Sequence, residues 1–347
     1  MPFIHSSNPF WKEIIHASTP DIYSLREYVE LESKILKGTP LGWIFLQQER
    51  PKVLIPLIDR VIPFNKDQYH DLVSPYGYPG IVYKENLSTE LFNKVISTYH
   101  QEANGEGFIS SFIRLHPLYN NIQVKKQAGI TPHVHGSTVS VDLTLPMPDI
   151  RQAYSVNHRR NLAKLRRQGF HVKIDNWSDL SAFIGLYTQT MHRKHASPRY
   201  FFKEPYFAGL KNIQGFHLLL VMVYDQNNKP AAGGLFTIAN GLAQFHLGGT
   251  SDGFIEFSPS KLMMDEAIAQ CKERGCHTLH LGGGYGTDTN SGLFRFKAGF
   301  GSQRHPFYTL RFIHRRDIYM YLLENSIPGT RNQSSFFPEY RHLEGQG

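Results

Sequence analysis

Cysteine is scarce: Cys271 and Cys276 are the only two in 347 residues. Two thiols build neither a disulfide framework nor a zinc site, and they fit a reducing compartment. No apolar run approaches the ~18 residues that span a bilayer. The opening residues, MPFIHSSNPFWKEIIHAS, turn polar and charged early and do not read as a signal peptide. A cytoplasmic protein is therefore expected, reaching a membrane only through a lipid-linked acceptor. Low-complexity tracts are absent too, and 41% hydrophobic with 13% aromatic residues is enough for a sizeable core. The length allows two domains.

Acidic residues are the scarcer charge, 29 against 37 Lys and Arg, a net charge of +8. That balance suits an anionic partner such as RNA, a nucleotide-linked sugar, coenzyme A or an anionic membrane surface, without choosing among them. Between residues 150 and 174 acidic residues are missing altogether, against Arg151, Arg159, Arg160, Lys164, Arg166, Arg167 and Lys173. The spacing predicts a helix over 154–168, ended by Gly169, with Val156, Leu162 and Leu165 inward. Its basic surface is either a solvated face or a site for phosphates or an RNA backbone.

The pattern elsewhere is mixed α/β. Helices are expected over 20–35, 87–101, 180–194 and 259–274, and strands over 41–46, 53–62, 108–115, 138–143, 215–224, 231–238, 243–248 and 278–281. A boundary at residues 146–149 divides a first domain, 1–148, from a second, 149–330, with a tail over 331–347. The run SPYGYPG at 74–80 fixes an irregular turn; Tyr76 and Tyr78 supply packed faces with hydroxyl handles. His133 and His135 lack a third metal ligand at sensible spacing and read as a loop feature, so no metal is expected. Gly282, Gly283 and Gly284 are followed by neither a Lys-Ser/Thr pair nor a spaced third glycine. That excludes a P-loop and a dinucleotide fingerprint.

The segment 278–301, TLHLGGGYGTDTNSGLFRFKAGFG, concentrates the chemistry. A polar loop over 287–291 leads into alternating Leu293-Phe294-Arg295-Phe296-Lys297, read as a strand. Lys297 is a lone lysine among aromatics and glycines, able to meet negative charge that develops in a reaction. His246 has the residue type of a general base, or is a core histidine. Arg114 could pair with a ligand carboxylate or with an internal acid. Ser258, Ser260 and Lys261 open a helix and offer a phosphate-holding start.

LHLGGG followed by SGLFRFKAGFG resembles the close of the acyltransferase domain in the FemAB-like branch of the GNAT superfamily. SPYGYPG, FIRLHPL, TVSVDL, HRRNLAKLRRQG and LGGTS resemble FemAB-like counterparts in the same order, covering most of residues 40–312. The resemblance implies an α/β (α+β) chain of two tandem GNAT-like folds, with mixed, mostly antiparallel sheets and an acceptor site in the cleft between them. It implies an N-acyltransferase in which Lys297 faces the reacting centre and Phe296 shapes the pocket. Tyr76, Tyr78, Arg114, Arg193, Arg199 and Tyr206 would contact the acceptor. No heptad arm lies between residues 177 and 215, so the chain is more similar to the armless FemX type. The glycine-alternating diphosphate loop of coenzyme A users is also missing.

No bound cofactor is expected. The cosubstrate would be aminoacyl-tRNA, with Arg159, Arg160 and Lys164 toward its phosphates, or acyl-coenzyme A. The acceptor would be an anionic small molecule, an amine of a cell-envelope precursor, an amino sugar or a peptide, free or lipid-linked; DNA is not expected. A thioester-dependent N-acyltransferase of polysaccharide or natural-product biosynthesis is one alternative. A non-catalytic protein that kept the fold is another.

Overall fold

The computed structural model describes residues 2–18, 21–64, 67–84, 87–119, 132–284, 288–326 and 336–341. The chain folds as two compact units, 1–135 with 307–347, and 136–306. Both division points fall inside strands, where no Pro/Gly loop marks them, and the C-terminal residues return to the first unit. The sequence boundary at 146–149 lies within the second unit instead. Most of the expected tail, and part of the loop at 287–291, lie outside the described residues.

In order, the chain forms β1 (Phe3–His5), α1 (Pro9–Ala17), α2 (Arg26–Ile35), β2 (Thr39–Gln47), β3 (Arg50–Phe64), β4 (Asp67–Val73), β5 (Val82–Tyr83), α3 (Thr89–Gly105), β6 (Ser110–Arg114) and β7 (His133–Asp142). It continues with α4 (Met147–Gln152), α5 (Val156–Arg167), β8 (His171–Ile174), α6 (Leu180–Arg193), α7 (Glu204–Asn212), β9 (His217–Tyr224), β10 (Pro230–Ala239) and β11 (Leu242–Thr250). It closes with α8 (Ser260–Glu273), β12 (Thr278–Gly283), α9 (Gly292–Ala298), β13 (Gln303–Ile313) and α10 (Arg316–Ser326).

The first unit's sheet runs β1-β2-β3-β4-β6-β13, antiparallel except where β4 and β6 run parallel. α3 packs Val95, Ile96 and Tyr99 on one face among Trp43, Ile55 and Leu310. α1 and α2 cover the other with Trp11, Ile14 and Val29. The SPYGYPG turn is rigid and packed: Gly77 holds φ +90°, and a Cβ there would meet the Tyr23 ring at 2.3 Å. Asp71 is fully buried and held by Arg60 at 3.0 Å, Arg341 at 2.6 Å and the Tyr340 hydroxyl at 2.9 Å. This triple contact ties the C-terminal segment to β4.

The second unit's sheet runs β7-β12-β11-β10-β9-β8. One core face receives α5 and α8, through Leu162, Leu165, Leu262, Met263 and Ile268. α6 lies against β10 and β11. That approach is close: a Cβ on Gly249 would sit 2.4 Å from the Leu186 backbone. Asp265 of α8 is fully buried and held by Arg151 at 2.9 Å, Arg166 at 2.5 Å and the Tyr154 hydroxyl at 3.1 Å.

Three expectations change here. His133 and His135 lie on strand β7, not in a loop. Residues 293–297 form helix α9, not a strand: Ser291 caps it by accepting from Phe294 N at 3.3 Å, and the helix ends at Gly299. On α5 the inward residues are His158, Leu162 and Leu165, while Val156 is 61% exposed.

Removing the Asp265 carboxylate should leave one tyrosine and two arginine groups without their acceptor. Asp265→Ala is expected to cost about 2 kcal/mol, read from chemical unfolding midpoints.

Several buried histidines are held neutral. Burial pulls His314 down to about 3, with His100 adding to the effect, and it lowers His100 too. Their Nδ1 atoms meet at 2.8 Å, a contact that cannot persist with both rings charged. His246 at about 3 and His158 shift the same way. A folded value below the unfolded one, about 6.5, means stability is complete above that pH and lost below it. Urea unfolding at pH 7.5 and 5.0 should show a clear fall at the lower pH; a flat profile would contradict the assignment.

Candidate active site

Strands β11 and β12 run parallel, and their ladder pairs Leu242–Gln244 with Thr278–His280. β11 then continues to Thr250 and β12 to Gly283. Both strands are irregular at this point. β11 skips His246 in its pairing with β10, and β12 skips Leu281 in its pairing with β7. Beyond the ladder, each strand turns an edge without a strand partner toward the other, able to bond an extended chain laid along it.

Lys297 stands at this opening. It projects from α9, is buried, and donates from Nζ to the Gly283 carbonyl at 2.7 Å. Its Nζ also lies 5.7 Å from the Phe245 ring centroid. The one ammonium therefore touches the end of β12 and the edge of β11. Burial pulls its pKa down to about 7. A lysine so withdrawn from water exchanges its proton near neutral pH.

Its neighbours are fixed by packing. Phe296 lies beside it on α9, and the Phe296 carbonyl accepts from His158 Nε2 at 2.9 Å. His158 packs under Gly299, and its ring stands 4.4 Å from the Phe300 ring. β12 is anchored by a row of buried polar groups on one sheet face. Gln244 meets His280 at 2.5 Å, His280 is registered with Ser140, and Ser140 bonds Gln303 at 2.9 Å and His305 at 2.7 Å.

The other sequence candidates fall elsewhere. His246 bonds the Tyr206 hydroxyl at 3.1 Å and is buried, with its pKa lowered to about 3. It thus lies among the buried side chains of the second unit. Tyr206 is buried with it and stacks on Phe202 at 4.0 Å. Arg193 binds Asp252, the Thr250 carbonyl at 3.3 Å and the Thr190 hydroxyl at 3.1 Å, tying α6 to the end of β11. Arg199 is exposed and rests on Tyr200, its Cζ 4.8 Å from the ring. In the first unit, Tyr76 and Tyr78 are half-buried; the Tyr78 ring packs on Phe307 at 5.0 Å. Arg114 donates to the Ser74 carbonyl at 3.0 Å.

The start of α8 spends its polar groups internally. Lys261 bonds Asn157 at 2.6 Å, Ser260 bonds Thr250 at 2.5 Å, and Ser258 sits in the left-handed region. These side chains are thus engaged within the second unit. On α5, Arg166 is committed to Asp265 and Arg159 to the Gln152 carbonyl, whereas Arg160, Lys164 and Arg167 lie on its exposed face. The sequence signalled neither Gly283 nor Phe245 as partners of Lys297. The apolar run around Asp265 was a readable sign of a buried carboxylate.

Among the described residues no cluster of His, Cys, Asp and Glu could hold a metal ion, and no helix is long and apolar enough to cross a membrane. Residues 153–297 match the acetyltransferase (GNAT) domain family. No curated protein sequence matches the chain significantly. Among solved structures, FemX superposes with a TM-score of 0.66 at 14% identity, covering 92% of this chain and 99% of FemX. L-PGS from Bacillus licheniformis gives 0.56 at 13% identity, covering 94% and 98%. The C-terminal domain of a putative lysylphosphatidylglycerol synthetase from Agrobacterium fabrum gives 0.54 at 13%, covering 87% and 91%. The second unit thus matches the acetyltransferase (GNAT) domain model over residues 153–297, and the chain resembles FemX in fold.

Proposed function

We propose that this protein is an N-acyltransferase that moves an aminoacyl group from tRNA to an amine of a cell-envelope precursor, amino sugar or peptide. The observation that carries the reading is Lys297, an ammonium bonded to the end of β12 and facing β11 where their ladder opens. The amine attacks the ester carbonyl carbon and a tetrahedral oxyanion forms. The carbon–oxygen bond to the tRNA ribose then breaks, and the released hydroxyl takes the proton that the amine loses. Lys297 donates to the oxyanion, a contribution worth about 3 kcal/mol for a positioned donor.

Two features favour tRNA as donor. The start of α8 is closed upon itself, and α5 presents Arg160, Lys164 and Arg167 outward. One fold relative is named as a putative lysylphosphatidylglycerol synthetase, a name that denotes an aminoacylated product. A second reading, an acyl thioester with an amide-bearing arm, is favoured by the open edges of β11 and β12. The acceptor is anionic, and the protein works in the cytoplasm, meeting a membrane only where the acceptor is lipid-linked.

Competition of bulk tRNA against acetyl-coenzyme A on the purified protein separates the two donors. Tight, steeply salt-dependent tRNA binding that coenzyme A does not displace is expected. Saturable coenzyme A binding with weak tRNA affinity would replace the first reading by the second. Converting Arg160 and Arg167 to Gln should weaken tRNA binding and flatten its salt dependence, whereas Arg166→Gln should mainly lower stability.

For catalysis, Lys297→Met should lower kcat/KM about 10²–10³-fold. Activity that needs the ammonium should also decline as pH rises through about 7. Lys297→Arg should carry that decline to higher pH, because a guanidinium keeps its proton. Full activity in the Met variant would remove Lys297 from the mechanism.

A further inference from the structure

The first unit holds a cluster of cations that the transfer chemistry of the second does not use. β6 and β13 pair antiparallel, with Thr309 opposite Arg114 and Arg311 opposite Phe112. Directly opposed residues share one sheet face. Both guanidinium groups gather round the Phe112 ring, with Arg114 Cζ at 4.9 Å and Arg311 Cζ at 6.0 Å from its centroid. The His135 ring stands 6.3 Å from Phe112 and 5.2 Å from Phe307.

Two polar atoms on this face have nothing to bond. Thr309 is 0% exposed, and its hydroxyl has no hydrogen-bond partner among the described residues; the same holds for Arg311 Nε. Native interiors seldom leave such groups unpaired, because each costs about 1–3 kcal/mol. The guanidinium N–H can only donate and the threonine hydroxyl can donate as well, so one acceptor would serve both.

The electrostatics agree. Burial first, then Arg114, Arg311 and His133, pull His135 down to about 4, and no carboxylate acts on it in return. Arg311 feels Glu339 and Tyr319, but burial outweighs both and lowers it too. These basic groups come from three strands, and the two arginines disfavour a charged His135, as they would at a place that receives negative charge.

We propose that Arg311, Arg114 and Thr309, with His135 beside them, form an oxyanion-binding site in the first unit that takes a phosphate or a carboxylate group. Arg114 keeps its bond to the Ser74 carbonyl and sets one side. Arg311, seated between the rings of Phe112 and Phe337, sets the other. The site stands on the first unit alone and does not require the transferase reading.

The test is a titration of the whole protein with pyrophosphate, inorganic phosphate and acetate at constant ionic strength, following the His135 ring by NMR. A bound anion favours the imidazolium, so saturation should raise the His135 titration from about 4 toward its ordinary value, about 6.5. Saturation by the phosphates with acetate silent identifies a phosphate group; the reverse identifies a carboxylate. Arg311→Gln should weaken the binding at least about tenfold, and Thr309→Val a few-fold. No saturable change in the unmodified protein with any of the three anions would overturn the site, whether or not the variants fold. Equal binding by a folded Arg311→Gln would overturn it as well.

Discussion

A buried ammonium is costly to keep, and Lys297 keeps its place through one carbonyl and one aromatic face. Both partners must hold still for that arrangement to mean anything chemically. Gly283 lies at the last position of β12, so its carbonyl is only as fixed as the strand. β12 is fixed by β7 on one side, by three residues of β11 on the other, and by the buried Gln244–His280 bond beside Ser140. Apolar side chains in that row would fill the space but would not fix register, since a slipped strand could repack them. Hydrogen-bonded pairs tolerate no slip. The polar row therefore positions the carbonyl, the carbonyl positions the lysine, and the low dielectric around the lysine brings its pKa near neutrality.

Each unit solves a second problem in the same way. Asp71 and Asp265 are both fully buried, and each is held by two arginines and one tyrosine hydroxyl. A lone carboxylate could not be buried without several kcal/mol of penalty. Three donors offset that penalty and draw separate segments together: α4, α5 and α8 in the second unit, β3, β4 and the C-terminal residues in the first. Part of the basic excess is thereby spent inside. Arg151 and Arg166, which read in the sequence as members of an uninterrupted basic run, are in fact half of such a clasp.

Much of the fold was legible because strand and helix periods are strong where one face is buried. The strands β9 to β12, the helix α5 and the helix α8 all followed from spacing, whereas the short strand β8 was missed. The errors have particular causes. Leu293-Phe294-Arg295-Phe296-Lys297 alternates like a strand, and only the Ser291 cap and Gly299 stop betray seven helical residues. His133 and His135 alternate on a strand whose polar start looked like a loop. The division into units was illegible, because the chain crosses within strands and the last segment returns. At the site, the aromatic and glycine setting and the resemblance singled out Lys297, but its partners Gly283 and Phe245 are not visible along the chain. The surroundings of His246 are not visible either, because a bulge in β11 and the Tyr206 hydroxyl decide them.

The remaining positive charge is distributed by use. Arg193 and Arg159 bond carbonyl oxygens or an acid at element ends, Lys261 holds Asn157, and Arg60, Arg341, Arg151 and Arg166 hold buried carboxylates. Each of these cations already serves a contact within the fold. Arg160, Lys164 and Arg167 on α5 face solvent, and solvent screens them, so they suit a large polyanion that covers many charges at once. Arg311 and Arg114 are partly withdrawn from water around Phe112, where one small oxyanion would be felt strongly. A net charge of +8 alone cannot distinguish these roles; burial and the partner of each cation can. The same criterion sets Lys297 apart, since burial governs its acidity.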